Sequence, residues 1–500
     1  MALAVGLGLG AVATAVLADR IAPLSYVARH RTTALGWAVI LPALVLLAGP
    51  VLACLGARSG APVWTLRQRW TMALLAGSAL FASALLPRSP AGDEPAYLAM
   101  AASLASHGTL DVAGADESLH RSAASRPGEN RSIHDPGMSA LLAVPWLVLG
   151  LAGARVAGVL LAVALIAVTR RLLAETLAPD IADPLSLVLA VSFPVAAYAA
   201  LLFPEVAGAL ALAILFAELV AGASPTIIGA IAATALPWLH VRFLAPAALL
   251  AVWGLKRRAT RARAATRVVL PLAVSLVARS LLHQRWFGSP SPLAAWEGRD
   301  SLLSLDAIIP GTLGILVDQQ AGLLLWGPLF LFAPMGAWAL WQRRPDVVVG
   351  ALALTATVAS PGILHQWWAG WSPAARFLVA ATAPLALLFG AGLAAARADA
   401  RLGWHLVRAV VVAQLAIGAF CLAVPRRLFG TVEVAPRNYV LDLVGRVAGI
   451  DTAWLAPTLI ARPGAASTIH AALLVALWLA GSWLLVRRLR RIAGARWIRP

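Results

Sequence analysis

The chain has 500 residues, of which 61% are hydrophobic and 12% charged, and its mean hydropathy is +0.83. A water-soluble globule carries roughly a quarter of its residues as Asp, Glu, Lys and Arg, so a soluble enzyme is excluded. The net charge of +18 does not point to nucleic acid, because the arginines gather in short clusters between apolar runs, among them "TLRQRW", "LKRRATRARAATR", "WQRRPD" and "VRRLRRIAGAR". That distribution orients membrane helices against an anionic leaflet.

In lipid the backbone must satisfy its own hydrogen bonds, so recurring apolar runs predict helices. In chain order they fall at 2–18, 33–56, 71–87, 153–169, 184–202, 205–221, 225–239, 241–255, 268–282, 322–341, 346–363, 377–396, 406–424 and 467–486. The expectation is an all-α polytopic bundle of about 12–14 spans, with interfacial helices in the first large outer loop. The run 2–18 lacks a basic start and reads as a membrane helix rather than a cleaved signal. Cys54 and Cys421 both lie in apolar runs and imply no disulfide framework.

The basic clusters assign a side to each connection. Arg67 and Arg69 place the start of 71–87 inside, so 88–137 lies outside, and Arg170 and Arg171 are inside again. This parity requires that the apolar run 138–152 not cross. At 1.5 Å per residue it is about 22 Å long, short of the ~30 Å hydrocarbon core, so it is expected at the interface. The count then puts 283–320, 364–376 and 425–466 outside. It divides the chain into N-terminal helices (1–70), a core (71–424) with outer loop 88–152, and a last outer segment, helix and basic tail (425–500). Arg20, Arg29 and Arg31 fall on the side called outer, which leaves the orientation of 1–70 open. The expected location is the plasma (inner) membrane, with the chemistry on its outer or periplasmic face.

On that face the sequence collects Asp93, Glu94, His134, Asp135, Glu205, His240, Arg242, His283, Arg285, Glu297, Asp318, His365 and Arg376. Ionisable groups at membrane depth are costly and tend to mark function. In "AGDEPAYLAMAASLASHG", Asp93 reads as a helix N-cap, Pro95 as first turn and Gly108 as the closing residue. Tyr97, Ala101, Leu104 and Ala105 make an apolar stripe suited to the membrane surface. One carboxylate suffices for a cap, and two are present beside an apolar entrance, so a carboxylate there, partly desolvated, suits a general base. "HDPG" (His134–Gly137) is turn chemistry leading into the interfacial run. Glu205 follows Pro204 at a helix start that favours an acid. His240 and Arg242 sit at a tight outer turn that suits a phosphate clamp as well as a snorkelling arginine. Trp367, Trp368 and Trp371 read partly as an aromatic belt, with Arg376 just after them, and Asp318 lies just outside a long apolar span.

"GDEPAYLAMAASL", "HDPGMSALLAVPW", "FPE" and "WWAGWSPAARF" together resemble the GT-C superfamily of polyprenyl-phosphate-sugar glycosyltransferases, close to protein O-mannosyltransferases and lipid A aminoarabinose transferases. The resemblance covers roughly residues 70–400, and its strongest motif is the acidic pair with the following Tyr97. It departs at "HDPG", where Asp135 stands in place of a usual proline. The resemblance implies that Asp93 is the catalytic base with Glu94 beside it, that Glu205 is a second acid, and that Arg242 and Arg376, with His240, face the donor phosphate. Tyr97, His134, Asp135, Asp318 and Trp368 would complete the pocket.

The reaction then expected is transfer of a sugar from a polyprenyl-phosphate donor to a hydroxyl of a lipid, protein or polysaccharide acceptor, with inversion. No Gly-rich nucleotide loop is present, which fits a lipid donor. No cofactor or metal is implied by ligand spacing, although the outer acids leave room for a divalent cation. The alternatives are a transporter or flippase, which predicts repeated halves with broken helices, and a non-catalytic relative.

Overall fold

The computed structural model describes residues 25–55, 64–112, 131–296, 304–363, 366–397, 402–428, 438–452, 454–460 and 464–492. The expected run 2–18 and the candidates Glu297 and His365 lie outside them. The described chain is all-α. Eight of its helices are long and apolar enough to cross a membrane, and three further apolar helices are shorter, so the protein is a multi-pass membrane protein.

The first helices are α1 (Ser25–Leu55), α2 (Leu66–Ala84) and α3 (Glu94–His107). α2 starts on a capping box: the Thr65 hydroxyl accepts from the Gln68 amide, and the Gln68 side chain accepts from the Thr65 amide. α3 ends on Gly108 in the left-handed region, as its sequence predicts. It does not merely lay a stripe on a surface, however. Ala96 through Ala101 are all buried, so its first turns are enclosed on every side.

α4 (Gly137–Thr176) carries the apolar run 138–152 and the next span in one element, broken at Gly150, where φ is 58° and ψ −140°. Before the break Leu141, Val144, Leu147 and Val148 are exposed, an apolar face suited to lipid rather than water. The Ser139 hydroxyl donates to the Tyr97 carbonyl and fastens α4 to α3.

α5 (Pro179–Ala190) leads into α6 (Pro204–Val220), and the short pair α7 (Ile227–Leu239) and α8 (Leu244–Lys256) meets at a single 3-10 turn. Next come α9 (Leu270–Phe287), α10 (Ile308–Val317), α11 (Ala333–Trp341), α12 (Pro345–Ala359), α13 (Thr382–Ala396), α14 (Leu402–Ala423), α15 (Tyr439–Ala448) and α16 (Ala465–Ile492). The expected single span 322–341 is interrupted at Gly327, where a 3-10 segment precedes α11. The apolar windows 179–198 and 376–396 are entirely buried, against 17% of 465–488. The former pair is therefore the centre of the bundle and α16 its lipid-facing rim. At that centre α11 packs on α13, and Gly336 permits the approach: a Cβ there would lie 1.6 Å from the Leu388 carbonyl oxygen.

Ion pairs tie the connections together in two groups. Arg69 and Arg170 both reach Asp183, Arg397 reaches Asp180, and Arg257 reaches Asp346. Every one of these residues belongs to a connection the arginine count assigns to the inside. The other group joins 88–94, 131–135, 200–205, 240–242, 279–292 and 369–376. α6 runs from one group to the other, over about 25 Å at 1.5 Å per residue.

Candidate functional site

Asp93 occupies the N-cap position of α3 but makes no capping hydrogen bond with its side chain. The neighbouring acid closes the turn instead: the Ala91 amide donates to Glu94 Oε2 at 2.9 Å. Glu94 is fully buried and held in a bidentate pair with Arg88 (2.7 and 2.9 Å), while the Leu202 amide donates to its Oε1 at 3.3 Å. Arg88 in turn donates to the Ala200 carbonyl. Glu94 thus fastens the start of α3 to the segment before α6, with its charge cancelled. The structure therefore places Glu94, expected beside the base, in a buried ion pair of its own rather than in the network that holds Asp93.

With capping done by Glu94, the Asp93 carboxylate is free to point elsewhere. Gly92 allows it, having φ +59°, where a Cβ would fall 2.4 Å from the Trp371 carbonyl oxygen and 2.9 Å from the Phe203 ring. Glycine here brings the 92–93 turn against the loop carrying Arg376. That loop is itself strained, with positive φ at Ala369 and Ala375. It is pinned by the Tyr198 hydroxyl, 2.6 Å from the Pro373 carbonyl oxygen, and by the Ala375 amide donating to Ala321.

Arg376 is the hub. Its Nη2 reaches Asp93 Oδ2 at 2.5 Å, its Nε donates to Glu205 Oε1, its Nη1 to the Ala369 carbonyl, and its guanidinium lies over the Phe203 ring at 4.5 Å. Arg242 Nη2 donates to the same Glu205 oxygen at 2.6 Å, and its guanidinium stacks on Phe243 and Phe377. Two carboxylates and two guanidinium groups from four distant parts of the sequence therefore form one neutral network. Glu205 is 1% exposed on its side chain, Arg376 8% and Arg242 10%, whereas Asp93 is 28% exposed. The Asp93 Oδ1 atom, and Nε and Nη1 of Arg242, have no partner among the described residues. Glu205 Oε2 is buried without one.

Burial alone would push the Asp93 carboxyl up, but Arg376 foremost, then His134 and Arg242, outweigh it and hold it below its ordinary value. Asp93 is therefore ionised at neutral pH. His134 is pushed down chiefly by burial, against the pull of Asp93, so the imidazole is neutral there. It stacks beside Tyr97, with ring centroids 4.9 Å apart and the hydroxyl 3.4 Å from Nδ1.

The remaining candidates divide. Asp135 faces away from the network and forms a buried bidentate pair with Arg279 of α9 (2.8 and 3.1 Å), with His283 Nε2 at 3.4 Å. It anchors the 131–136 segment rather than lining the pocket. His240 caps the 3-10 turn, its Nδ1 accepting from the Arg242 amide at 3.3 Å. It positions the turn that carries Arg242. Asp318 accepts from the amides of Gln320, Ala321 and Leu459. It staples the 455–460 segment to the end of α10 and is not part of the Asp93 network. Trp368 packs edge-on against Trp367, and Arg285 is exposed.

Sequence reasoning overlooked Arg88, Arg155 and Arg279. Arg155 and Arg279 lie inside the expected spans 153–169 and 268–282, where a charge demands a partner. That signal pointed to the buried pairs with Asp135 and, through the Arg88 carbonyl that accepts from Arg155, with Glu94. Among the described residues no three His, Cys, Asp or Glu side chains gather within reach of one metal ion. Neither a family model, nor a curated protein, nor a solved structure matches the chain.

Proposed function

We propose that the protein is a GT-C-like, inverting glycosyltransferase that moves a sugar from a polyprenyl-phosphate donor to an acceptor hydroxyl on the outer face of the membrane. Among the acids of the network, the observation that carries this reading is the state of Asp93. It is ionised, partly open, and has one oxygen fixed by Arg376 and the other unengaged. An ionised carboxylate with one open oxygen can take up the acceptor's proton as the acceptor attacks.

The acceptor oxygen attacks the anomeric carbon as its proton passes to Asp93 Oδ1. The bond from that carbon to the donor phosphate oxygen breaks, and the lipid phosphate leaves with an added negative charge. Attack opposite the leaving group inverts the anomeric centre. The unengaged Nε and Nη1 of Arg242 suit that phosphate, and its stacking between two phenylalanines lowers the freedom it must lose on binding. Arg376, with its donors already committed to Asp93, Glu205 and Ala369, orients the acids instead. Glu205 sets the spacing between the two arginines. A lipid, protein or polysaccharide hydroxyl would serve equally as acceptor by this chemistry.

The test is transfer of radiolabelled sugar from polyprenyl-phosphate donors in membranes containing the chain. Asp93→Asn should lower transfer by about 10²–10⁴-fold while the amount of folded protein in the membrane stays unchanged. Full transfer by Asp93→Asn would overturn the reading.

A further inference from the structure

At the far end of α6 and α8 from the Asp93 network, a cavity of about 490 Å³ opens between three connections. Its walls include Gly222 after α6, Arg257, Arg258 and Thr260 after α8, and Arg344 and Asp346 before α12. Three arginines and a single acid line it. Asp346 holds two of them loosely, at 3.2 Å from Arg257 and 3.6 Å from Arg344, and is itself half exposed. The arginines are fixed by other means: Arg257 lies over the Trp253 ring at 5.3 Å, and Arg344 Nη2 donates to the Val220 carbonyl at 2.8 Å. Arg258 is exposed and pairs with no acid among the described residues. Thr260 is 6% exposed, and its buried hydroxyl has no hydrogen-bond partner there. A buried hydroxyl without a partner costs free energy unless something supplies one.

We propose that this cavity binds a phosphate group, its charge met by Arg257, Arg258 and Arg344 and one of its oxygens by the Thr260 hydroxyl. Planar guanidinium forks match phosphate oxygens two at a time, and an excess of cations over acids at a membrane-proximal cleft favours an anion over a neutral ligand. The arginine count assigns these connections to the inner side. The phosphate therefore belongs either to an anionic phospholipid headgroup of that leaflet or to a soluble phosphate compound. The site is independent of the glycosyl-transfer reading and about 25 Å from it along α6.

The full chain in nanodiscs of phosphatidylcholine, with and without phosphatidylglycerol, gives one arm. Inorganic phosphate against chloride at equal ionic strength, in phosphatidylcholine alone, gives the other. Binding is read as a rise in unfolding midpoint and as retained phospholipid in native mass spectrometry. A response to phosphatidylglycerol only assigns the lipid headgroup, and a response to inorganic phosphate assigns a soluble compound; both support the site. Arg258→Gln and Thr260→Val, neither of which breaks a contact in the fold, should each weaken binding about tenfold. Arg67→Gln, an exposed arginine in another inner connection, should leave it unchanged. No response in either arm, or equal binding by Arg258→Gln and Thr260→Val, overturns the proposal, as does an equal loss in Arg67→Gln.

Discussion

Adjacent acids in one tetrapeptide carry opposite tasks. Glu94 is fully buried against Arg88, so Glu94→Gln leaves a buried guanidinium without its counter-charge and should cost about 3–5 kcal/mol, read as a large fall in unfolding midpoint. Asp93→Asn also gives up an ion pair, with Arg376, but at a site more than a quarter exposed, so it should lower that midpoint by much less than Glu94→Gln while cutting transfer by about 10²–10⁴-fold. Gly92→Ala places a methyl group against the Trp371 carbonyl in a left-handed turn, and should destabilise by about 1–3 kcal/mol. The pH behaviour follows from Asp93. Its carboxyl is held below the ordinary value of 3.8, so the stability it contributes is complete above that value and is lost as pH falls through the lower folded one. Arg376→Gln removes the main cause of that lowering. The acid limb of the pH–rate profile should therefore move to higher pH, and an unmoved limb would show that Asp93 does not set it.

The helices deliver these residues by how they start and stop. Asp93, Glu205 and Arg376 all stand at the entry to a helix or 3-10 segment, and Arg242 sits in the turn between α7 and α8. Short elements thus place four side chains at one depth, a job that uninterrupted spans cannot do. Side-chain staples then lock the connections. Asp318 holds the Leu459 amide at 2.7 Å, so Asp318→Asn should speed hydrogen exchange at Leu459 while leaving exchange in α6 alone. The acidic motif, the left-handed Gly108 and the turn at 134–137 were legible in the sequence, because caps and turns are local chemistry. The partition of roles between Asp93 and Glu94 was not, since it depends on Arg88 reaching Glu94 and on a loop 283 residues away supplying Arg376.

At the scale of the molecule, the ion pairs form two groups set about the length of α6 apart. Labelling can test which group faces which side, since Cys54 and Cys421 are buried and leave a quiet background. Trp371→Cys, at an exposed site beside the Asp93 network, should react with an impermeant thiol reagent on intact cells. Arg258→Cys should react only after the membrane is opened. The same label at both sites without permeabilisation would place both ends on one side and remove the outer-face assignment.

Hydrophobic composition and apolar run length determined on their own that the chain is a multi-pass helical membrane protein, because transfer into lipid is a property each segment has by itself. Which of the runs are central and which are rim, that 322–341 is broken, that Asp135 and Asp318 are anchors, and that of the two acids joined by Arg376 it is Asp93 that keeps a partly exposed carboxylate, were decided by tertiary structure. A buried charge takes its role from the partner that neutralises it, and in this fold those partners come from remote parts of the chain.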